Sequence, residues 1–237
     1  GHIDYPPATR GGLAGGVLAI FVANPEKQAD LPVEMDGDSY AFPLPPPLTH
    51  AYANQQARGM VESFLKTAAS STPQQPISIV RTVQDLQHTL QCPNTLSVII
   101  HFEGAAPFPA IDYWEQFEQY YQLGMRALGI VWSRHNAFGH GVPVAFPTSP
   151  DTGPGLTDLG KKLVNVCNQY GVMLDVSHLT EKGFWDVVKL SDAPVVATHS
   201  CVHAISPSSR NLTDKQLLAI RDSYGVVGIN FCVGFLR

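Results

Sequence analysis

Val172-Met-Leu-Asp-Val-Ser-His178 is a run of apolar and β-branched residues that ends in a histidine, and Val195-Val-Ala-Thr-His199 repeats the pattern further on. Each run is too short for a globular helix and reads as a strand buried on both faces. Between them, Thr180 to Leu190 carries Phe184, Trp185 and Val188 at helical spacing, and Ala193-Pro194 closes the segment. The pattern is a β-α-β unit, and its strands are parallel because a crossover helix joins them. Two imidazoles then stand at the carboxyl ends of successive parallel strands and face one mouth, where α/β barrels keep metals and chemistry. Either histidine alone reads equally well as a core residue with a backbone partner. Two at equivalent positions shift the balance toward a site.

Outward from this unit the same punctuation recurs. Leu96 to Phe102 is another buried strand, and it ends in Glu103-Gly104. A carboxylate closing an apolar strand must be paired, protonated or on a metal, because burying it alone costs several kcal/mol. Ala127 to Trp132 is a strand followed by the polar, glycine-punctuated loop Ser133 to Gly141, which carries His135, Asn136 and His140. Val226 to Phe231 is a further strand, preceded by a helix for which Thr213 and Gln216 form a capping box. Toward the amino end, Gly15-Gly16 leads into the strand Val17 to Ala23, and Gly1-His2-Ile3-Asp4-Tyr5-Pro6 reads as the end of a strand with His2 and Asp4 on one face. Asn24 to Leu48 shows no periodicity and is expected to be a loop at the rim of the mouth. Ala57, Met60, Val61, Phe64, Leu65 and Ala68 mark an amphipathic helix, Thr82 caps a short helix through Leu90, and Leu156 to Tyr170 forms a helical stripe. Tyr113, Trp114, Phe117, Tyr120 and Tyr121 give one helix an aromatic face, read as core. Ile77 to Val80 is a short extended piece.

Strands near positions 1, 17, 97, 127, 172, 195 and 226, with helices between most of them, predict an α/β fold, a (βα)8 TIM barrel of the metal-dependent hydrolase type. A full barrel of about 250 residues uses roughly 31 per unit, so 237 residues form one domain of seven to eight units. The rival, a doubly wound open sheet, requires a glycine-rich phosphate turn, and no G-x-G-x-x-G occurs. Charged residues are only 15%, the net charge is −5, and no basic run is present, which argues against nucleic acid and anionic membrane as partners. Small molecules are the expected ligands. No apolar stretch is long enough to span a membrane. Cys92, Cys167, Cys201 and Cys232 are scattered and read mostly as buried thiols.

His2, Asp4, Glu103, His178 and His199 offer three nitrogens and two carboxylates, a donor set that suits Zn²⁺ and is large enough for two ions bridged by one carboxylate. Gly-His-x-Asp, Phe-Glu-Gly, Asp-Val-Ser-His, Thr-His-Ser and Ser-Arg-Asn, in this order over essentially the whole chain, resemble the membrane (renal) dipeptidase family, the M19 metallopeptidases. The resemblance implies that His2 and Asp4 hold one zinc, His178 and His199 the other, and Glu103 bridges them. It implies a dipeptidase in which a hydroxide shared by the two ions attacks the peptide carbonyl, while Arg210 binds the substrate's terminal carboxylate. Family members often have a carbonyl-contacting histidine after the fourth strand. Here Trp132 occupies that position and is expected to bind substrate with Asn136, and His135 or His140 is the candidate for the histidine's role.

The family's eighth strand, with a Gly-Ser-Asp-Phe segment and a proton-shuttling aspartate, has no counterpart before Arg237. The expectation is therefore a barrel without its last βα unit and clipped at its first strand: part of a larger polypeptide, a chain completed by association, or a form without normal activity. The alternatives are a hydrolase of another amide, lactam or lactone, and a metal-binding but inactive homologue. A homodimer is open, with the aromatic helices or the proline-rich loop as its face. The expected location is cytoplasmic, with an upstream segment left open because residue 1 is a glycine that opens directly into a motif.

Overall fold

Parallel strands joined by helices make the centre of the molecule, as the β-α-β reading predicts. The computed structural model describes residues 5–25, 34–92 and 94–236. Among them, seven strands form one curled parallel sheet: β1 (Gly15–Ile20), β4 (Ile77–Ile79), β5 (Leu96–Glu103), β6 (Met125–Gly129), β8 (Met173–Asp175), β9 (Val196–Ser200) and β10 (Val226–Ile229). Their order is β1-β5-β6-β8-β9-β10, with β4 and β6 pairing with opposite ends of β5. A smaller antiparallel sheet joins β2 (Glu34–Asp36), β3 (Ser39–Phe42) and β7 (Val144–Phe146).

Helices cover the sheet: α2 (His50–Ala69), α3 (Val83–Gln91), α4 (Tyr113–Leu123), α5 (Asp158–Tyr170), α6 (Glu181–Leu190) and α7 (Asp214–Asp222), with a short α1 (Tyr5–Arg10) ahead of them. Their starts follow the capping chemistry read from sequence. Thr82 and Thr213 each close a capping box, with Asp85 and Gln216 as the reciprocal partners. Ile100, Phe102, Leu128 and Leu174 from the strands pack against Phe117, Tyr120, Leu163, Phe184 and Val187 from the helices in one buried cluster. Each such side chain contributes roughly 1.5–3 kcal/mol on burial. Phe117 and Tyr120 are buried as expected, whereas Trp114 is 41% exposed.

Four expectations are refined or changed. Ile77–Ile79 is a full member of the sheet, since it continues the edge of β5 with Ile77 opposite Leu96. Asn24–Leu48 is not featureless: β2 and β3 form a hairpin across Gly37-Asp38, with Gly37 at φ +58°, and Tyr40 of β3 stacks on Phe146 of β7. The expected strand at Gly1–Pro6 falls mostly outside the described residues, and Tyr5-Pro6 open a helix instead. A proline at the first helical turns fits this, because its missing N–H has no intrahelical partner there. The run Val172–His178 is also strand only as far as Asp175. There Ser177 donates both its N–H, at 3.0 Å, and its hydroxyl, at 2.6 Å, to Asp175 Oδ1, which turns the chain out of the sheet. No helix among the described residues is long and apolar enough to cross a membrane, and all four cysteines are free.

Candidate metal centre

The parallel register sets the site. Glu103, Gly129 and Asp175 are paired in one row across β5, β6 and β8. His199 follows on β9 and His178 lies in the turn beyond β8, so their side chains reach the same end of the sheet as Glu103. His178 Nε2 lies 3.0 Å and His199 Nε2 3.3 Å from Glu103 Oε1, and the two imidazole nitrogens are 2.9 Å apart. Three ligand-type atoms thus converge within 4.8 Å, a group able to hold a metal ion. Two nitrogen lone pairs and a carboxylate oxygen at such distances repel unless a proton or a cation sits among them. The geometry therefore fits a cation held by two nitrogens and one oxygen, the donor types zinc takes.

Electrostatics push the same way. Burial would raise the Glu103 carboxyl, but the His178 and His199 imidazoles beside it outweigh that effect and hold the group at about 2. Burial and the nearby Arg210 guanidinium keep His178 far below the usual imidazole range. An ionised carboxylate and a neutral imidazole are the forms that bind metals.

Behind these ligands stands a buried polar layer absent from the sequence reading. Asp175, 4% exposed, accepts from Ser177 N and Oγ and from Thr198 N and Oγ1. His101 Nε2 lies 3.2 Å from its Oδ2, close enough for an ion pair though not aligned as a hydrogen bond. These partners drive the Asp175 carboxyl well below the ordinary range against the opposing effect of burial. Ser133 Oγ meets His178 Nδ1 at 3.0 Å. The signal for Asp175 was in the quoted motif: a carboxylate inside an apolar run needs partners by the reasoning applied to Glu103.

Arg210, 3% exposed, lies against the same loops. Its guanidinium donates to Ser177 O and His199 O and approaches His178 Nε2 at 3.3 Å, while Nε is buried without a partner. Trp132 stands over His178, ring centroids 5.9 Å apart, and lines a cleft beside Glu103 with Val22, Arg134, His135 and Asn136. His135 Nδ1 is buried and unpartnered, and burial lowers its basicity. His140 packs on His135 at 4.7 Å but spends Nδ1 on Gly155 O. The Asn136 amide is committed to its own loop, donating to Ile130 O and accepting from Phe138 N and Gly139 N. Gly104 (φ +115°) lets the chain leave Glu103 beside Trp132. At Gly141 an added Cβ would fall 1.9 Å from Trp132 O, so only glycine closes this loop. His2 and Asp4 lie outside the described residues.

A family model for membrane dipeptidase, peptidase family M19, matches residues 1–237. A metallopeptidase from Rhodobacter sphaeroides, solved with a phosphinate mimic of the dipeptide L-Ala-D-Ala, is 45% identical with a TM-score of 0.86, covering 100% of this chain and 67% of that one. Dipeptidase AC, an M19 metallopeptidase, is also 45% identical, with a TM-score of 0.85 and coverage of 100% and 65%. An uncharacterized protein in the PQQ-III 3′ region of Acinetobacter calcoaceticus is 37% identical over 238 residues, 100% of this chain and 72% of its own length. The chain thus spans about two thirds of the solved structures it resembles. With that match over its full length, and with the fold to go with it, the chain belongs to the membrane dipeptidase family, the M19 metallopeptidases.

Proposed function

We propose that this chain carries the metal centre of a zinc-dependent dipeptidase and forms, over residues 1–237, one domain with seven of the strands of a (βα)8 barrel. The observation that carries the reading is the convergence of Glu103, His178 and His199, with two imidazole nitrogens 2.9 Å apart at one carboxylate oxygen. In this reading His178 and His199 hold one ion, His2 and Asp4 the other, and Glu103 serves both. Zinc, when bound, polarises the scissile carbonyl and makes water acidic enough to supply a nucleophile at neutral pH.

The chain's own residues supply the rest. Arg210 is a buried planar fork suited to the free carboxylate of a dipeptide. Trp132 stands over His178 and gives the cleft an apolar wall beside its charged groups. His135, neutral because burial disfavours its charged form, has an unpartnered nitrogen in reach of the same cleft for the substrate carbonyl. Asn136 shapes the loop that presents it. The L-Ala-D-Ala mimic bound by the Rhodobacter relative supports a short peptide with a free carboxyl end as the substrate. The test is metal content together with dipeptide hydrolysis before and after chelation. About two zinc ions per chain and turnover that is lost on stripping and restored by zinc are expected; chelator-insensitive hydrolysis overturns the reading.

A further inference from the structure

Thr198 precedes His199 on β9, and its hydroxyl stands between two groups. Oγ1 lies 2.7 Å from Asp175 Oδ2 and 2.7 Å from His199 Nδ1. A hydroxyl has one proton to give. Asp175 already receives two backbone N–H groups and the Ser177 hydroxyl, an environment made for an ionised carboxylate that can only accept. Thr198 must therefore donate to Asp175, and toward His199 it can only accept. The neutral His199 ring then carries its proton on Nδ1, which leaves Nε2 with a lone pair. Nε2 is the atom aimed at Glu103 Oε1, 3.3 Å away, and at His178 Nε2, 2.9 Å away. The Ser177 hydroxyl, 3.5 Å from Thr198 Oγ1, does not change this outcome. It gives its proton to Asp175 at 2.6 Å and accepts the His199 backbone N–H at 3.1 Å.

We propose that Thr198 is a positioning residue: the chain Asp175 to Thr198 to His199 locks the His199 imidazole in its Nδ1–H tautomer and presents a bare Nε2 to the metal. The inference deepens the proposed function and rests on reading His199 as a ligand. In many metal sites a carboxylate or carbonyl holds the outer imidazole nitrogen directly. Here Asp175 Oδ2 is 4.0 Å from His199 Nδ1, and the threonine hydroxyl fills the gap. The same carboxylate anchors the turn that carries His178, so one buried aspartate orders both histidine loops.

The test uses the metal-free chain with ¹⁵N-labelled histidine at mildly alkaline pH, where long-range proton–nitrogen spectra distinguish the two tautomers. His199 is assigned by its loss in His199→Gln. Wild type is expected to show His199 protonated on Nδ1. Thr198→Val, which keeps the shape and removes the hydroxyl, is expected to show mixed tautomers and to bind zinc about 10- to 100-fold more weakly. Thr198→Ser is expected to restore both. A wild-type His199 protonated on Nε2 overturns the proposal, and so does an unchanged tautomer and zinc affinity in Thr198→Val. The wild-type spectrum needs no variant, so a Thr198→Val chain that fails to fold does not remove the test. If wild type binds no zinc, the metal reading fails, while the tautomer still decides the role of Thr198.

Discussion

Glu103 is half-buried at the end of an apolar strand, and the cost of its charge is met by two imidazoles rather than by lysine or arginine. Replacement by glutamine keeps the shape and removes the charge. Glu103→Gln is expected to lose bound zinc and to lower dipeptide turnover by more than about 100-fold, a larger loss than outer residues of metal sites produce. Metal analysis and initial rates check this; full zinc content with normal rates would take Glu103 out of the site. Arg210 allows a separate test. Its fork reaches Ser177 O, His199 O and His178 Nε2 at once, which a lysine ammonium cannot do. Arg210→Lys is expected to raise KM about 10- to 100-fold, the loss of a charge-assisted hydrogen bond worth roughly 1.5–3 kcal/mol. An unchanged KM would separate Arg210 from substrate. At this scale Glu103, His178 and His199 were legible because each ends an apolar run. The need of Asp175 for partners was legible by the same reasoning, but Thr198 as one of them was not, because it comes from the neighbouring strand and only the register brings the two together.

Among the elements, the helices were the most legible, since their apolar period and their caps are local signals. Thr82 and Thr213 were both found from side-chain chemistry alone. Thr82→Ala removes the acceptor for Asp85 N, 3.0 Å away, and opens one half of the box. A loss of about 1 kcal/mol in denaturant stability is expected, with zinc content unchanged. A shift well beyond 2 kcal/mol would mean that α3 supports the sheet in a way its exposed Val83 and Leu90 do not indicate. The elements that local signals leave undecided are short. β4 has three residues, too few for alternation to be counted, and is a strand because the edge of β5 is there to receive it. The β2–β3 hairpin hides in proline-rich composition and depends on β7, about a hundred residues away, for its third strand. Local pattern cannot report pairings of that kind.

For the molecule as a whole, the loops of the proposed metal centre tie together strands that are distant in sequence, so a metal bound there would add to stability. Chelation is expected to lower the melting temperature, and zinc to restore it. An independent handle lies away from the site. Cys167 of α5 is fully buried, and burial pushes its thiol well above the ordinary 9.0; burial likewise lifts the Tyr120 hydroxyl from 10.0 to about 12. In the unfolded chain both groups ionise at their ordinary values. A folded pKa above the unfolded one means the folded state keeps its proton longer, so the stability contributed is complete below the unfolded value and is lost as pH rises toward the folded one. The urea midpoint is therefore expected to hold up to about pH 9 and then to fall. The slope is about 1.4 kcal/mol per pH unit for the thiol, and it steepens above about pH 10 when the phenol joins. Cys167→Ala has no thiol to ionise. It starts less stable at neutral pH because it leaves a small void in the core, but loses less between about pH 8 and pH 10 than wild type does. Equal losses in the two proteins under reducing conditions would mean that Cys167 ionises as freely in the folded chain as in the unfolded one.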